Sequence, residues 1–211
     1  SAWQYVNAAE ICVEIWNIIK GACWQLTERY CKKDPNAKYY NRIIPTLSII
    51  SGGHLTNCVP RESVMHVDIR FPPAIRAKDL LKEIRQSVLN FTQVYKNQVK
   101  IDFKVQENIS SMIDGFEIEG KETVVGALRW AIYQTTNQKP KLIRKTGTTF
   151  INAIGIHYGI PSITYGPGDP KLEHTNEEFI EVEEYVQTIK IYQKFFTKFF
   201  NLYHRKKGST D

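Results

Sequence analysis

Between Ser63 and Phe71 the chain alternates: Met65, Val67, Ile69 and Phe71 fall on one side, with Val64, His66 and Asp68 between them. A period of two marks a β-strand with one buried face, because successive side chains leave a pleated backbone on opposite sides. Pro72-Pro73 ends the strand, since proline offers no N–H to a ladder. Such a strand needs a partner strand and a covering layer, and its neighbours supply both. Ile11, Ile15, Ile18 and Ile19 form the stripe of an amphipathic helix running from about Asn7 to Lys33, weakened by Gly21 and stopped at Asp34-Pro35-Asn36. The β-branched run Ile43–Ile50, closed by Gly52-Gly53, predicts a second strand. Leu80, Leu81, Ile84, Val88 and Leu89 predict a second helix. Val99, Ile101, Phe103 and Val105, alternating with Lys100, Asp102, Lys104 and Gln106, predict a third strand. Helix, strand, strand, helix, strand makes a sheet with two helices on one face, a ferredoxin-like split βαβ sandwich that lacks an opening strand before Asn7.

The stretch Asn108–Gly120 is poor in periodic apolar residues and reads as a junction. Beyond it the pattern predicts a helix at Glu122–Gln134, a short strand at Lys141–Arg144 and a short helix at Asn152–Tyr158. A strand at Ser162–Tyr165 and a long helix at Val182–Tyr203 follow. The order is that of an α/β domain, yet two strands cannot cover the apolar faces of three helices. The closing helix carries Val186, Ile189, Phe196, Phe199, Phe200 and Tyr203, so a larger sheet is expected to complete this half. The junction therefore divides the chain into two parts.

At 211 residues, 42% hydrophobic and 24% charged, the chain has the composition of a globular protein with a sizeable core. No apolar run approaches the roughly 18–20 residues that span a bilayer. Ser1-Ala2-Trp3-Gln4-Tyr5 has no signal-peptide character, so a cytoplasmic location is expected. Cys12, Cys23, Cys31 and Cys58 form no CxxC pair, which argues against a zinc ribbon or a disulfide scaffold. The net charge of +6 favours an acidic partner. Nucleic acid is not expected, because lysines and arginines are dispersed and the one tight cluster, His204-Arg205-Lys206-Lys207, sits in a tail.

The residues that bear on chemistry lie mostly in 144–177. His174 follows the loop Gly166-Pro167-Gly168, and neutral imidazole suits zinc, although a zinc centre needs three or four such donors. The glycine loop lets a backbone approach a substrate carboxylate, or is simply a tight turn. Thr146-Gly147-Thr148 is open to the same two readings. Arg70 ends an alternating strand, where its planar fork can grip a carboxylate or form a strand-end ion pair. Lys145 can meet an acidic group or stay solvated. Glu173, Glu177 and Glu178 suit surface charge near a helix start better than a general base.

Gly52-Gly53-His54-Leu55-Thr56-Asn57-Cys58-Val59-Pro60 followed by Asp68-Ile69-Arg70 resembles the dimerisation-domain signature of the M20 family of dinuclear-zinc hydrolases. That family includes acetylornithine deacetylases, succinyl-diaminopimelate desuccinylases and related carboxypeptidases. Arg144-Lys145-Thr146-Gly147-Thr148, Tyr165-Gly166-Pro167-Gly168-Asp169 and His174-Thr175 resemble the branch that releases lysine or ornithine from an amino-group carrier protein. The resemblance implies a dimerisation or lid domain inserted in an α/β zinc-peptidase-like catalytic domain. Residues 1–107 would be most of the lid and 108–211 the C-terminal part of the catalytic domain. It implies substrate contacts from Asn57, Arg70, Lys145, Thr146, Gly147, Thr148, Gly166 and Gly168, and a metal bond from His174. Phe150 stands where that branch is expected to carry an aspartate, which puts a polar role there in doubt.

The resemblance further implies two zinc ions per complete active site, with cobalt as an alternative, and a homodimer formed through the lid. An acidic carrier protein is the expected partner, and neither nucleic acid nor a membrane is. The other metal ligands and the general base would lie ahead of Ser1 or on a separate N-terminal chain, leaving this chain inactive when isolated. A non-catalytic dimerisation module or inactive fragment is the competing reading.

Overall fold

The computed structural model describes residues 5–31, 40–95, 98–106, 112–173 and 175–207. They form two compact units, one of residues 1–115 with 145–152 and one of residues 116–144 with 153–211.

In the first unit, α1 spans Ala8–Tyr30. It starts at Asn7, whose side chain accepts from the Ala9 and Glu10 amides at 3.0 and 3.3 Å while donating to Glu10 Oε1 at 3.0 Å. The two accepted bonds satisfy amides that a helix start leaves unpaired. Ile11, Ile15, Ile19, Ala22, Cys23 and Leu26 are buried along its inner stripe, and Gly21 faces open space. Near its end Thr27 donates back to the Cys23 carbonyl and accepts from the Ile43 amide, both at 2.9 Å, tying the helix to the strand that follows.

Strand β1, Ile44–Gly52, pairs antiparallel with β2, Ser63–Arg70, from Ile44 opposite Arg70 to Gly52 opposite Ser63. The register shifts between Leu47 and Ile49, so β1 carries one extra residue, a bulge that breaks its alternation. Strand β2 keeps its period: Met65, Val67 and Ile69 pack on the core, whereas Val64, His66, Asp68 and Arg70 are exposed. Helix α2, Ala77–Thr92, buries Leu80, Ile84 and Val88 in a core shared with α1.

The expected third strand at Val99–Val105 is a correction. Residues 98–106 make no strand, and among the described residues the sheet has two strands. The alternation records burial only: Val99, Ile101 and Phe103 pack against the core while Lys100, Asp102 and Lys104 are exposed. Phe103 also lies under the Arg85 guanidinium, 5.5 Å from the ring centre. Alternating burial satisfies side chains without requiring a hydrogen-bonded neighbour for the backbone.

In the second unit, α3 (Thr123–Thr136) packs on α5 (Val182–Lys207) through Ala127, Leu128, Ala131, Ile191 and Phe195. Small residues on α3 let the aromatic ridge of α5 sit close. Asn137, at φ 56°, ends α3 with its amide bonded to the Tyr133 carbonyl. The expected strands at Lys141–Arg144 and Ser162–Tyr165 are also corrected, since neither segment forms a ladder. Ile163 and Tyr165 nonetheless pack on the α3–α5 core. Phe196, Phe200 and Tyr203 stay about half exposed on α5. Helix α4, Phe150–Tyr158, begins at the end of the 145–152 segment. Among the described residues no helix is long and apolar enough to cross a membrane.

Candidate functional site

Gly53 opens the loop joining β1 to β2. Its φ of +80° is a conformation other residues adopt at a cost, and a Cβ there would come within 3.1 Å of Pro60 Cγ. The loop is anchored where the Pro60 carbonyl accepts from the Ala8 amide at 3.0 Å. Asn57 is exposed on it, beside Cys58, whose Sγ lies 3.7 Å from Asn57 Oδ1. Arg70 closes β2 on the exposed face, two residues from Asp68, and its Nε donates to Asp68 Oδ2 at 2.7 Å. Both groups face water, so the pair is worth only about 0.2–1 kcal/mol. Arg70 thus makes the strand-end ion pair that was one of its two readings, and its terminal NH₂ groups form a second donor edge.

Lys145, Thr146 and Gly147 are exposed and Thr148 is half-buried. A Cβ on Gly147 would lie 3.3 Å from Lys145 Cε, an approach tight enough to press on that side chain. The next residues are organised as a helix start. The Thr149 hydroxyl accepts from the Ile151 amide, and the Asn152 Oδ1 accepts from the Thr149 amide, each at 3.3 Å. This is a two-way cap, with threonine at its start and asparagine three residues on. Phe150, at the head of α4, is 70% exposed and so contributes little to a core.

Two residues outside the sequence-derived set extend this arrangement. Asn152 Nδ2 donates to the Asp114 backbone carbonyl at 3.1 Å, and Asp114 Oδ1 accepts from the Ala77 amide at 2.6 Å. Arg76, the residue preceding α2, provides no side-chain cap, so the carboxylate that caps α2 comes from 37 residues away. The Thr149-x-x-Asn152 spacing is a readable cap signal. Nothing in the aperiodic stretch 108–120 singled out Asp114.

Gly166 and Gly168 belong to the second unit. Gly168, at φ +96°, is a turn that glycine makes possible, while Gly166 faces open space. Downstream, Asp169 Oδ1 accepts from the Lys171 amide at 2.9 Å, and Thr175 bonds back to the Leu172 carbonyl through both its amide and its hydroxyl. His174 lies outside the described residues. Glu173, Glu177 and Glu178 are exposed in these turns, ahead of α5. Among the described residues no three His, Cys, Asp or Glu side chains gather as a metal would need, so these residues do not by themselves fit a zinc centre.

The fold is that of an α/β protein in two units, the first a helix-backed antiparallel pair. Residues 2–95 match the model of the M20 peptidase dimerisation domain. A [LysW]-lysine/[LysW]-ornithine hydrolase of Sulfurisphaera tokodaii is 30% identical over 169 residues, covering 80% of this chain and 43% of that protein. The protein of the same description from Saccharolobus islandicus (strain L.S.2.15 / Lassen #1) is 30% identical over 179 residues, covering 83% of this chain and 45% of that protein. An M20 family metallo-carboxypeptidase of Sulfolobus solfataricus shares the fold at a TM-score of 0.60 and 15% identity, over 88% of this chain and 45% of that one. The chain spans less than half the length of these curated relatives. Its residues 2–95 carry the M20 peptidase dimerisation domain, and the chain is similar to these hydrolases over most of its length.

Proposed function

We propose that this chain is the dimerisation domain, residues 1–107, and the C-terminal catalytic part, residues 108–211, of an amide hydrolase. The enzyme would release lysine or ornithine from an N-acyl or carrier-protein adduct in amino-acid biosynthesis. The observation that carries this reading is the match to a lysine/ornithine hydrolase over 80% of the chain, on both sides of the dimerisation domain's end at residue 95. The fork of Arg70 and the amide of Asn57 would hold the substrate's polar groups from the lid. Lys145, Thr146, Gly147, Thr148, Gly166 and Gly168 would line the site from turns where backbone amides can approach closely. His174 would contribute one imidazole to a centre of two zinc ions, cobalt being the alternative, which would polarise the scissile carbonyl and its attacking water. The remaining ligands and the general base would come from outside this chain.

The lid would pair two copies of the protein across a two-fold axis. The positive charge of the chain suits an acidic carrier protein, and a cytoplasmic location follows from that role. The test is an assay of the full gene product on N-acetyl-lysine, N-acetyl-ornithine and a carrier-linked lysine. Amine release that stops on chelation and returns with zinc is expected; no release from any of the three overturns the reading.

A second reading is a dimerising module without chemistry of its own, favoured by the family-model match falling in the dimerisation domain. Zinc calorimetry on this chain tests the module. Binding no tighter than one imidazole provides leaves this chain dependent on donors from elsewhere, whereas tight stoichiometric binding excludes the module.

A further inference from the structure

We propose that Asp114 and Asn152 form a clasp that fixes the Lys145–Thr148 turn against the head of α2, making both of them positioning residues for the substrate-lining turn. The inference rests on the reading that this turn meets substrate, but its first test does not. All of its parts lie in the first unit. Asp114 is bound at two points by two elements distant in sequence: its carboxylate receives the Ala77 amide at 2.6 Å and its carbonyl receives Asn152 Nδ2 at 3.1 Å.

Asn152 is in turn used at both ends of its amide, since Oδ1 holds the Thr149 amide while Nδ2 reaches Asp114. One continuous run of bonds therefore leads from the first amide of α2 to the residue directly after Thr148. The joint is also sterically closed, because a Cβ on the adjacent Gly115 would come within 2.8 Å of the Pro73 backbone nitrogen. A turn whose residues 145–147 are exposed has little packing to hold it. A hydrogen-bonded clasp at its C-terminal end supplies what burial does not, and holding the turn in one conformation lowers the cost of ordering it around a ligand.

The chemistry of Asn152 permits a clean separation. Asn152→Asp keeps the oxygen that caps Thr149 but replaces the donor aimed at the Asp114 carbonyl with a second acceptor. Asp114→Asn keeps an oxygen able to cap Ala77 and leaves the backbone carbonyl in place. Amide hydrogen exchange on the full chain reads the clasp without any assay of activity. Asn152→Asp is expected to speed exchange across 146–149 roughly fivefold, the effect of losing one ordinary hydrogen bond, whereas Asp114→Asn stays near wild type. Unchanged exchange at 146–149 in Asn152→Asp overturns the clasp. In the full gene product, Asn152→Asp is then expected to raise KM for the released amino acid's adduct with kcat largely kept. A loosened turn with an unchanged KM overturns the positioning role. Absence of hydrolysis in the wild type counts against the proposed function, and the exchange result still judges the clasp.

Discussion

The Tyr192 hydroxyl donates to the Tyr165 carbonyl at 2.6 Å, and the two rings meet edge to face with centres 5.9 Å apart. This contact seats the extended segment at 162–165 on α5, where no strand ladder does so. Removing only the hydroxyl, by Tyr192→Phe, is expected to cost about 1 kcal/mol, because the Tyr165 carbonyl loses its donor while the ring packing persists. Chemical denaturation followed through unit-2 fluorescence measures it, and a cost near zero would show that water replaces the bond.

Tyr165 also gives a pH dependence with a definite sign. Burial pushes its phenol above the ordinary value near 10, opposed by a hydrogen bond from Thr188 and reinforced by the nearby Glu184 charge. The unfolded chain ionises first as pH rises. The stability contributed is therefore complete below about pH 10 and is lost as pH climbs through the higher folded value. Tyr165→Phe is expected to flatten the stability profile above pH 10 in denaturation experiments.

Cysteine reactivity should divide by burial. Cys58 is exposed, whereas Cys23 is fully buried on α1 and burial pushes its thiol up to about 12. The thiolate is the reacting form, so iodoacetamide at neutral pH is expected to label Cys58 first and leave Cys23 untouched while the fold holds. Mass spectrometry of the digested protein reads the order directly.

Gly155 on α4 meets the Phe116 ring so closely that a Cβ there would overlap it. Gly155→Ala is expected to destabilise the second unit by about 1–3 kcal/mol despite alanine's better helix propensity, since overpacking wins. Relief by the double variant Gly155→Ala with Phe116→Leu would confirm the cause.

Arg70→Ala should change stability by less than about 1 kcal/mol, because its ion pair with Asp68 is exposed on both sides. If Arg70 also grips substrate, KM for the adduct should rise well beyond what Asp68→Ala produces. Equal effects of the two variants would assign Arg70 to the ion pair alone.

What could be read in advance followed from period and punctuation. The isoleucine stripe at 11, 15 and 19 and the alternation in 63–71 placed α1 and β2, because each has one buried face and a clear stop. The same logic misread 99–105: Val99, Ile101 and Phe103 do point inward, but side-chain burial says nothing of whether a neighbouring backbone is within bonding reach. The β1 bulge was likewise invisible in a continuous β-branched run. Of the candidate site, the sequence offered the glycines only as turn positions, and Gly53 and Gly168 do adopt positive φ. Asp114 was not, since it acts by a carboxylate and a carbonyl on elements 37 and 38 residues away.

The most direct test measures zinc-dependent lysine release by the full gene product and by its His174→Ala variant, using a carrier-linked lysine. The account predicts release by the wild type that chelation abolishes and zinc restores, with release lost in His174→Ala while the fold is kept. Release that persists in His174→Ala or in chelator, or its absence from the wild type, would contradict it.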